Sequence, residues 1–377
     1  MGKFWLINSF YEYVYFFYLN NYFLLIDNKS MENKITSRQN TIPVKVRNIQ
    51  IGGNNQVIIQ SMCDIKTSNI NEVVKQINEC TKLGAQMMRV SVLDQDDAKA
   101  IKEIKKNTTI PIVADIHFDT HLGILSIENG ADKIRINPGN VGSDEKLKEL
   151  IDCAKKYDVA IRIGVNKGSI AKDVANLDIS EEEKLVLSAK KYIKKIEDLD
   201  FHKLVISVKA SNPLLTIKAY TLMSKSTNYP LHIGVTESGY DEIGIIRSVS
   251  ALSPLLLNGI GSTIRISLTH NPQKEVITCV RLLHDLGLYK NYPTIISCPT
   301  CGRCMVTNTS DIADKILNYL IEKKKYITVA VMGCIVNGIG EGKNADIGIA
   351  GGNGLFQIFA KGKVIKTVKQ DEVLEEV

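Results

Sequence analysis

At 377 residues the chain is too long for one ordinary domain and too short for three. With 44% hydrophobic and 23% charged residues, it has the composition of a soluble globular protein and not of a disordered, collagenous or membrane-embedded one. A net charge of +6 over this length does not imply a polyanion partner such as nucleic acid, while leaving room for a local basic site that binds phosphate.

The apolar opening segment, Phe4 to Ile26, is interrupted by Asn8, Glu12, Asn20 and Asn21 and fails as a membrane-spanning helix. Residues 1–40 are therefore expected to be an N-terminal extension, either disordered or preceding the start used in the cell, since Met31 opens ordinary soluble sequence. The segment lacks the Arg- and Ser-rich amphipathic character of an organelle-targeting peptide. With no secretory signal, the eight cysteines point to a reducing cytoplasm, where clustered thiols bind metal or do redox chemistry.

From residue 57 one unit repeats: a short β-branched run ending in polar residues, then a helix with apolar positions three and four apart. The expected strands are 57–62, 87–92, 110–118, 133–137, 159–166, 204–211, 231–237 and 263–268. Between the first two, Val73, Val74, Ile77, Cys80 and Leu83 form a helical stripe closed by Gly84, and Leu147, Leu150, Ile151 and Ala154 form another behind Ser143. Eight such units predict an α/β fold, a TIM (β/α)8 barrel over residues 41–289, with functional groups at the C-terminal ends of the strands. The competing doubly wound sheet wants a Gly-rich loop after its first strand, which Ser61-Met62-Cys63-Asp64 is not.

Beyond Gly287 cysteines and glycines dominate. A strand over 293–297, a helix over 311–324 and a strand over 327–332 precede Gly-rich turns, predicting a small α+β domain over residues 290–377.

Four strands end in nearly the same words: Arg89-Val-Ser91, Arg135-Ile-Asn137, Arg162-Ile-Gly164 and Arg265-Ile-Ser267, joined by Ser207-Val-Lys209. Residues two apart share a face of a strand, so each cation and its polar neighbour point the same way. Such convergent charges need anions, supplied by carboxylates that make ion pairs inside the barrel or by a bound polyanion. Asp115 and Glu237 are too few for the first, and guanidinium forks bind phosphate oxygens bidentately. His117, His232 and Asn166 also fall at strand ends, where they orient a ligand, carry protons or simply make structural hydrogen bonds.

Cys298-Pro-Thr-Cys301-Gly-Arg-Cys304 and Cys334 form a set of soft ligands for zinc or an iron–sulfur cluster, with the spacing leaving the metal open. Cys80, Cys153 and Cys279 lie in helical patterns and read as core. Glu341 follows Cys334 by an Asn-Gly-x-Gly turn that would bring its carboxylate back to the thiols as an exchangeable ligand; otherwise it is a solvated loop residue.

Gln60-Ser-Met, Val113-Ala-Asp-Ile-His-Phe118, Arg135-Ile-Asn-Pro-Gly-Asn140, Arg162-Ile-Gly-Val-Asn166, Ser207-Val-Lys-Ala-Ser211, Cys298-Pro-Thr-Cys-Gly-Arg303 and Gly333-Cys-Ile-Val-Asn-Gly338 stand in an order that resembles the 4-hydroxy-3-methylbut-2-enyl diphosphate synthases of the methylerythritol phosphate isoprenoid pathway. The resemblance covers about residues 41–368. It implies a TIM barrel followed by an iron–sulfur domain, and a homodimer in which one subunit's cluster caps the other's barrel. The implied reaction is the two-electron reductive ring opening of 2-C-methyl-D-erythritol 2,4-cyclodiphosphate, with electrons from ferredoxin or flavodoxin through a [4Fe-4S] cluster. By motif, Cys298, Cys301 and Cys334 would ligate the cluster, with Glu341 the fourth, labile ligand. Arg89, Arg135, Arg162, Lys209 and Arg265 would hold the diphosphate, with Asn166, His232 and Ser267 nearby, and Glu237 would donate a proton or meet a substrate hydroxyl. Cys304 and Ile339 depart from the pattern; we read Cys304 as a bystander. Two further readings remain: a pteridine-binding synthase with a structural zinc, and a cluster-bearing sensor with an idle barrel.

Overall fold

The computed structural model describes residues 37–116, 119–137, 143–352 and 354–377. The expectations for the N-terminal extension up to residue 36 and for His117 lie outside these residues. The chain divides into two compact units between Cys279 and Val280.

The first unit is a parallel barrel. Its strands are β3 (Ile58–Met62), β4 (Met87–Val92), β5 (Ile112–Ile116), β6 (Lys133–Ile136), β7 (Ala160–Val165), β8 (Leu204–Val208), β9 (His232–Ile233) and β10 (Thr263–Ile264). They form one sheet in the order β8-β7-β6-β5-β4-β3-β10-β9, and a parallel bridge from Ile206 to Leu231, just before β9, nearly closes it. The last two strands are shorter than their apolar runs suggested, although single backbone bonds from Arg265 to Ile233 and from Thr236 to Ala210 continue beyond them. The helical stripes form as expected: Val73, Ile77 and Cys80 are buried in helix Ile70–Lys82, and Gly84 takes a positive φ of 115° behind it. Leu147, Leu150, Ile151 and Ala154 are buried in helix Asp144–Lys156, whose first turn is capped by Ser143.

An antiparallel hairpin of β1 (Val44–Val46) and β2 (Ile49–Ile51) precedes the barrel. Its Val44, Val46 and Ile51 join Ile58, Met87, Val113, Ala160 and Val205 in one buried cluster, so the hairpin plugs the N-terminal end of the barrel. Strands this short carry no periodicity to read, and the sequence reading missed them.

Strand register sets the interior. Pairing from β3 around to β10 advances one residue per strand, so side chains of alternate strands meet in layers. Above the apolar floor come Met87, Lys133, Val205 and Thr263, then Gln60, Val113, Arg162 and His232. Arg89, Arg135, Ser207 and Arg265 form the next layer, and Met62, Asp115, Gly164 and Gly234 the one above it. Barrel layers are ordinarily branched aliphatics; here the upper half is cationic.

The second unit holds a five-stranded sheet in the order β11 (Thr294–Ser297), β12 (Thr328–Met332), β13 (Ile347–Gly352), β14 (Leu355–Ala360) and β15 (Lys363–Lys369). The first three strands are parallel and the last two antiparallel. Helix Thr309–Glu322 buries Ile312, Ile316 and Leu320 against Val329, Val331, Ile349 and Phe356. No helix of the described residues is long and apolar enough to cross a membrane.

Candidate functional site

The strand-end cations converge on a cavity of about 260 Å³ lined by Met62, Arg89, Asp115, Arg135, Arg162, Gly164, Asn166, Ser207, Lys209, Thr236, Arg265 and Ser267. A larger cavity of about 730 Å³, lined by Lys190, Lys194, Lys225 and Tyr229 among others, opens beside the segment before β9. It holds none of the strand-end groups, and TIM-barrel chemistry belongs to the opposite end.

Two carboxylates order the arginines. Asp115, 2% exposed, takes Arg135 Nη1 at 3.1 Å and stands 3.4 Å from Arg89 Nε. Glu275, on helix Pro272–Asp285, receives Arg265 through Nε at 3.1 Å and Nη2 at 3.0 Å. The Ser61 hydroxyl at 2.6 Å and the Leu268 amide at 2.9 Å complete its shell. The sequence reading overlooked Glu275. Its only signal was a charged residue on the helix face that should have been apolar.

Arg162 has no such partner. It is 2% exposed, and its Nε and Nη1 have no hydrogen-bond acceptor among the described residues. Burial and the neighbouring Arg89 and Arg135 push its guanidinium well below the usual range. Burial likewise lowers Arg89, to about 10, against the opposing pull of Asp115. Lys209 is lowered by desolvation and by Arg162, Arg265, Arg89 and Arg135. Arg89 also turns Nε and Nη2 toward the thioether of Met62, at 3.1 and 2.8 Å, a weak acceptor that an anionic oxygen would outcompete. Cations held together beyond what carboxylates neutralise make an anion site, and the guanidinium forks select phosphate-like oxygens.

Two glycines make room. A Cβ on Gly164 would stand 2.9 Å from Arg135 Nε, and one on Gly234 would stand 2.6 Å from Lys209 Nζ. Each cation lies flat over backbone that only glycine leaves open.

The other expected residues are distributed unevenly. Asn166 and Ser267 line the cavity. His232 is fully buried one layer below, its Nδ1 2.6 Å from Thr263 Oγ1 and its Nε2 without a partner. Burial and nearby cations keep its ring neutral well below the ordinary histidine range. Glu237 is exposed, in a left-handed conformation with φ 51°, and does not line the cavity.

In the second unit the thiols gather where β11 and β12 end. The Gly333 amide donates to Cys298 Sγ at 3.1 Å, and Cys304 Sγ donates to the Val306 carbonyl at 3.2 Å. A Cβ on Gly333 would lie 2.6 Å from Cys304 Sγ and 3.5 Å from Cys298 Sγ. Cys334 is buried and Cys301 exposed, the latter's thiol lowered by a backbone hydrogen bond from Arg303 and by that residue's charge. Among the described residues no three His, Cys, Asp or Glu side chains already converge on one point. The donor set nevertheless fits an iron–sulfur group: soft thiols on adjoining strand ends, one already accepting an amide hydrogen bond of the kind that tunes cluster sulfurs. The segment after Cys334 corrects the sequence reading: Ile335–Glu341 is a helix, not a turn. Gly338 is needed for packing, since a Cβ there would meet Met332 Cβ at 2.7 Å. Glu341 ends this helix, exposed.

Fold and site together define an anion-binding TIM-barrel enzyme with a thiol-bearing second unit. The family model described as the GcpE TIM-barrel domain matches residues 41–280, and that described as the GcpE protein C-terminal domain matches residues 294–377. The chain belongs to the GcpE family. It is 46% identical over 342 residues to a protein of Malacoplasma penetrans named 4-hydroxy-3-methylbut-2-en-1-yl diphosphate synthase (flavodoxin), covering 91% of this chain and 94% of that one. It is 48% identical to the Caldanaerobacter subterraneus protein of the same name, covering 91% and 97%. With the same-named Bacillus subtilis protein it shares 46% identity over 92% of each chain. Among solved structures, dihydropteroate synthase from Stenotrophomonas maltophilia superposes with a TM-score of 0.51 at 12% identity, covering 65% of this chain and 97% of that one. At that identity the likeness is one of barrel fold alone.

Proposed function

We propose that this chain catalyses the two-electron reductive ring opening of 2-C-methyl-D-erythritol 2,4-cyclodiphosphate to 4-hydroxy-3-methylbut-2-enyl diphosphate, a step of non-mevalonate isoprenoid synthesis. Reduced flavodoxin or ferredoxin is the electron donor in this reading. The observation that carries it is the cavity on which Arg89, Arg135, Arg162, Lys209 and Arg265 converge, with Asp115 and Glu275 as the carboxylates that pair with them among the described residues.

The balance of the reaction explains the excess of cations. A dianionic cyclic diphosphate takes up two electrons and a proton, loses one oxygen as water and leaves as a linear diphosphate with one more negative charge. Guanidinium groups already fixed by Asp115 and Glu275 stabilise that developing charge without reorganising during the step. Arg162, with no acceptor for Nε and Nη1 among the described residues, has these donors free for substrate oxygens. Ser267 and Asn166 supply neutral donors at the rim. His232 stiffens the layer that it shares with Arg162, and Glu237, which is exposed and does not line the cavity, keeps the part of proton donor or substrate-hydroxyl partner that the family motif implies.

Cys298, Cys301 and Cys334 would hold the [4Fe-4S] cluster, with Glu341 as the exchangeable fourth ligand. Two glycines within its helix weaken that helix by about 1 kcal/mol each relative to alanine, which lets the last turn yield. When bound, the cluster supplies electrons and a Lewis-acidic iron to the leaving oxygen. The active form in this reading is a cytoplasmic homodimer, with residues 41–289 as the substrate domain and 290–377 as the cluster domain.

The test is anaerobic purification with iron and sulfide analysis, followed by turnover of the cyclic diphosphate with reduced flavodoxin. About four irons per chain and formation of the linear diphosphate are expected. Colourless protein carrying one zinc after iron reconstitution would overturn the reading.

A further inference from the structure

Lys133 is the most deeply buried cation of the barrel and has no part in the function above. Its side chain is 0% exposed, and the contact of Nζ is the neutral Gln60 Oε1 at 3.2 Å. Around it lie Met87, Val205 and Val113, and beneath it the apolar plug of the β1–β2 hairpin. The charged and titratable groups facing it are Arg162, Arg89 and His232 from the layers above, with Arg135 and Lys209 further up. The carboxylates of Asp115 and Glu275 already serve arginines. An ammonium ion in that place would be a buried charge with a neutral partner, crowded by like charges. The substrate cavity opens directly above, with Arg162 forming both its floor and the roof over Lys133.

We propose that Lys133 is the buried proton acceptor linked to substrate binding: its amine is neutral beneath the empty cation cradle and becomes ammonium when a dianionic diphosphate fills the cradle above. The inference rests on the assignment of the cavity to the cyclic diphosphate. Burial first, then Arg162 and Arg89, lower the Lys133 amine well below the ordinary lysine range, in the direction required. A dianion two or three layers higher offsets the like charges, and Coulomb energies in a low-dielectric interior are large enough at such separations to move a lysine by whole pH units. Gln60 suits the role, because its carbonyl oxygen accepts from an amine or an ammonium alike. The consequence is that the cradle neutralises its ligand with a charge that the free enzyme does not carry, so the empty barrel is spared one buried repulsion.

Calorimetric titration of the purified enzyme with the cyclic diphosphate, in buffers of different ionisation enthalpy between roughly pH 6 and pH 9, counts the protons taken up. Each phosphate of the ligand carries one ester and one anhydride linkage and a single strongly acidic hydroxyl, so any proton taken up goes to the protein. Wild type is expected to take up as much as one proton per site within that range. Lys133→Met removes the amine, and Gln60→Glu places a carboxylate that holds it protonated throughout; both should abolish the uptake while leaving measurable binding. Uptake that persists in either variant would place the proton on Lys209 or His232 and overturn the proposal, as would a wild type that takes up none. Failure of the wild type to bind the cyclic diphosphate would bring down the substrate reading, and the linkage with it.

Discussion

Arg265 and Glu275 form a two-point ion pair, with Nε and Nη2 of the guanidinium 3.1 and 3.0 Å from the two carboxylate oxygens. The pair joins the last barrel strand to the helix that follows it, and the same carboxylate anchors Ser61 and the Leu268 amide. Arg265 is thereby held facing the cavity by a residue that never touches it. Removing one partner of such a buried pair costs about 3–5 kcal/mol, because the other is left charged and unpaired. Glu275→Ala should therefore lower stability by that order in denaturant unfolding. Glu275→Gln, which keeps the shape but loses the charge, should retain most of the stability and raise KM for the cyclic diphosphate more than it lowers kcat. An unchanged KM would mean that Arg265 needs no such anchor.

Arg162 sets binding against stability. Its guanidinium is buried without an acceptor for Nε and Nη1, a state that burial and like charges disfavour. Replacement of buried ionic groups by apolar ones of similar volume is often stabilising, by about 1–4 kcal/mol. Arg162→Met should raise the melting temperature of the barrel. It should also weaken cyclic diphosphate binding about 10- to 100-fold, the loss of one or more charge-assisted hydrogen bonds. Lowered stability would show that the guanidinium has protein or solvent partners that sustain it in the free enzyme.

The repeat from β3 to β10 was legible because β-branched runs and helical stripes recur with a fixed alternation, and the Arg-x-polar endings marked the functional end of the barrel. The hairpin over Val44–Ile51 was not, because three-residue strands leave no pattern and their placement depends on plugging a barrel that must exist first. Glu275 was hidden for a related reason: a carboxylate on a helix reads as solvated until the strand opposite supplies Arg265. Gly338 misled in the other direction. In sequence an Asn-Gly-x-Gly run signals a turn, whereas here the glycine lets a helix pack against Met332 and Ala350.

The buried lysines make stability rise with pH, the same direction as ordinary acid unfolding but over an interval that reaches up into the alkaline range. Burial lowers Lys133 and Lys209 below the ordinary lysine value of 10.5 in the folded chain. Wherever the pH lies between those lowered values and 10.5, the unfolded chain binds more protons than the folded one, so stability rises as pH rises through that interval. Denaturant unfolding of the substrate-free enzyme from pH 7 upward should show this increase. Lys133→Met should flatten the profile and be the more stable protein at pH 7. A profile that stays parallel to that of wild type would mean Lys133 keeps its proton in the free protein.

The three clustered thiols should separate by function. Cys304 Sγ is engaged by the Val306 carbonyl and abuts Gly333, while Cys298 accepts the Gly333 amide and Cys301 is exposed. A thiol that already donates to the backbone is poorly placed to leave as a ligand, so Cys304→Ser should retain the iron content and colour of the wild type. Cys301→Ser and Cys298→Ser should each lose most of the iron, because a serine alkoxide is a hard and weakly populated substitute for a thiolate. Glu341→Gln should keep the iron, since three thiolates still hold it, and should slow turnover by at least tenfold, equivalent to about 1.4 kcal/mol. Iron analysis and turnover measured on the same anaerobic preparations distinguish the four residues. Loss of iron from Cys304→Ser would place that thiol among the ligands and remove the need for Glu341 there.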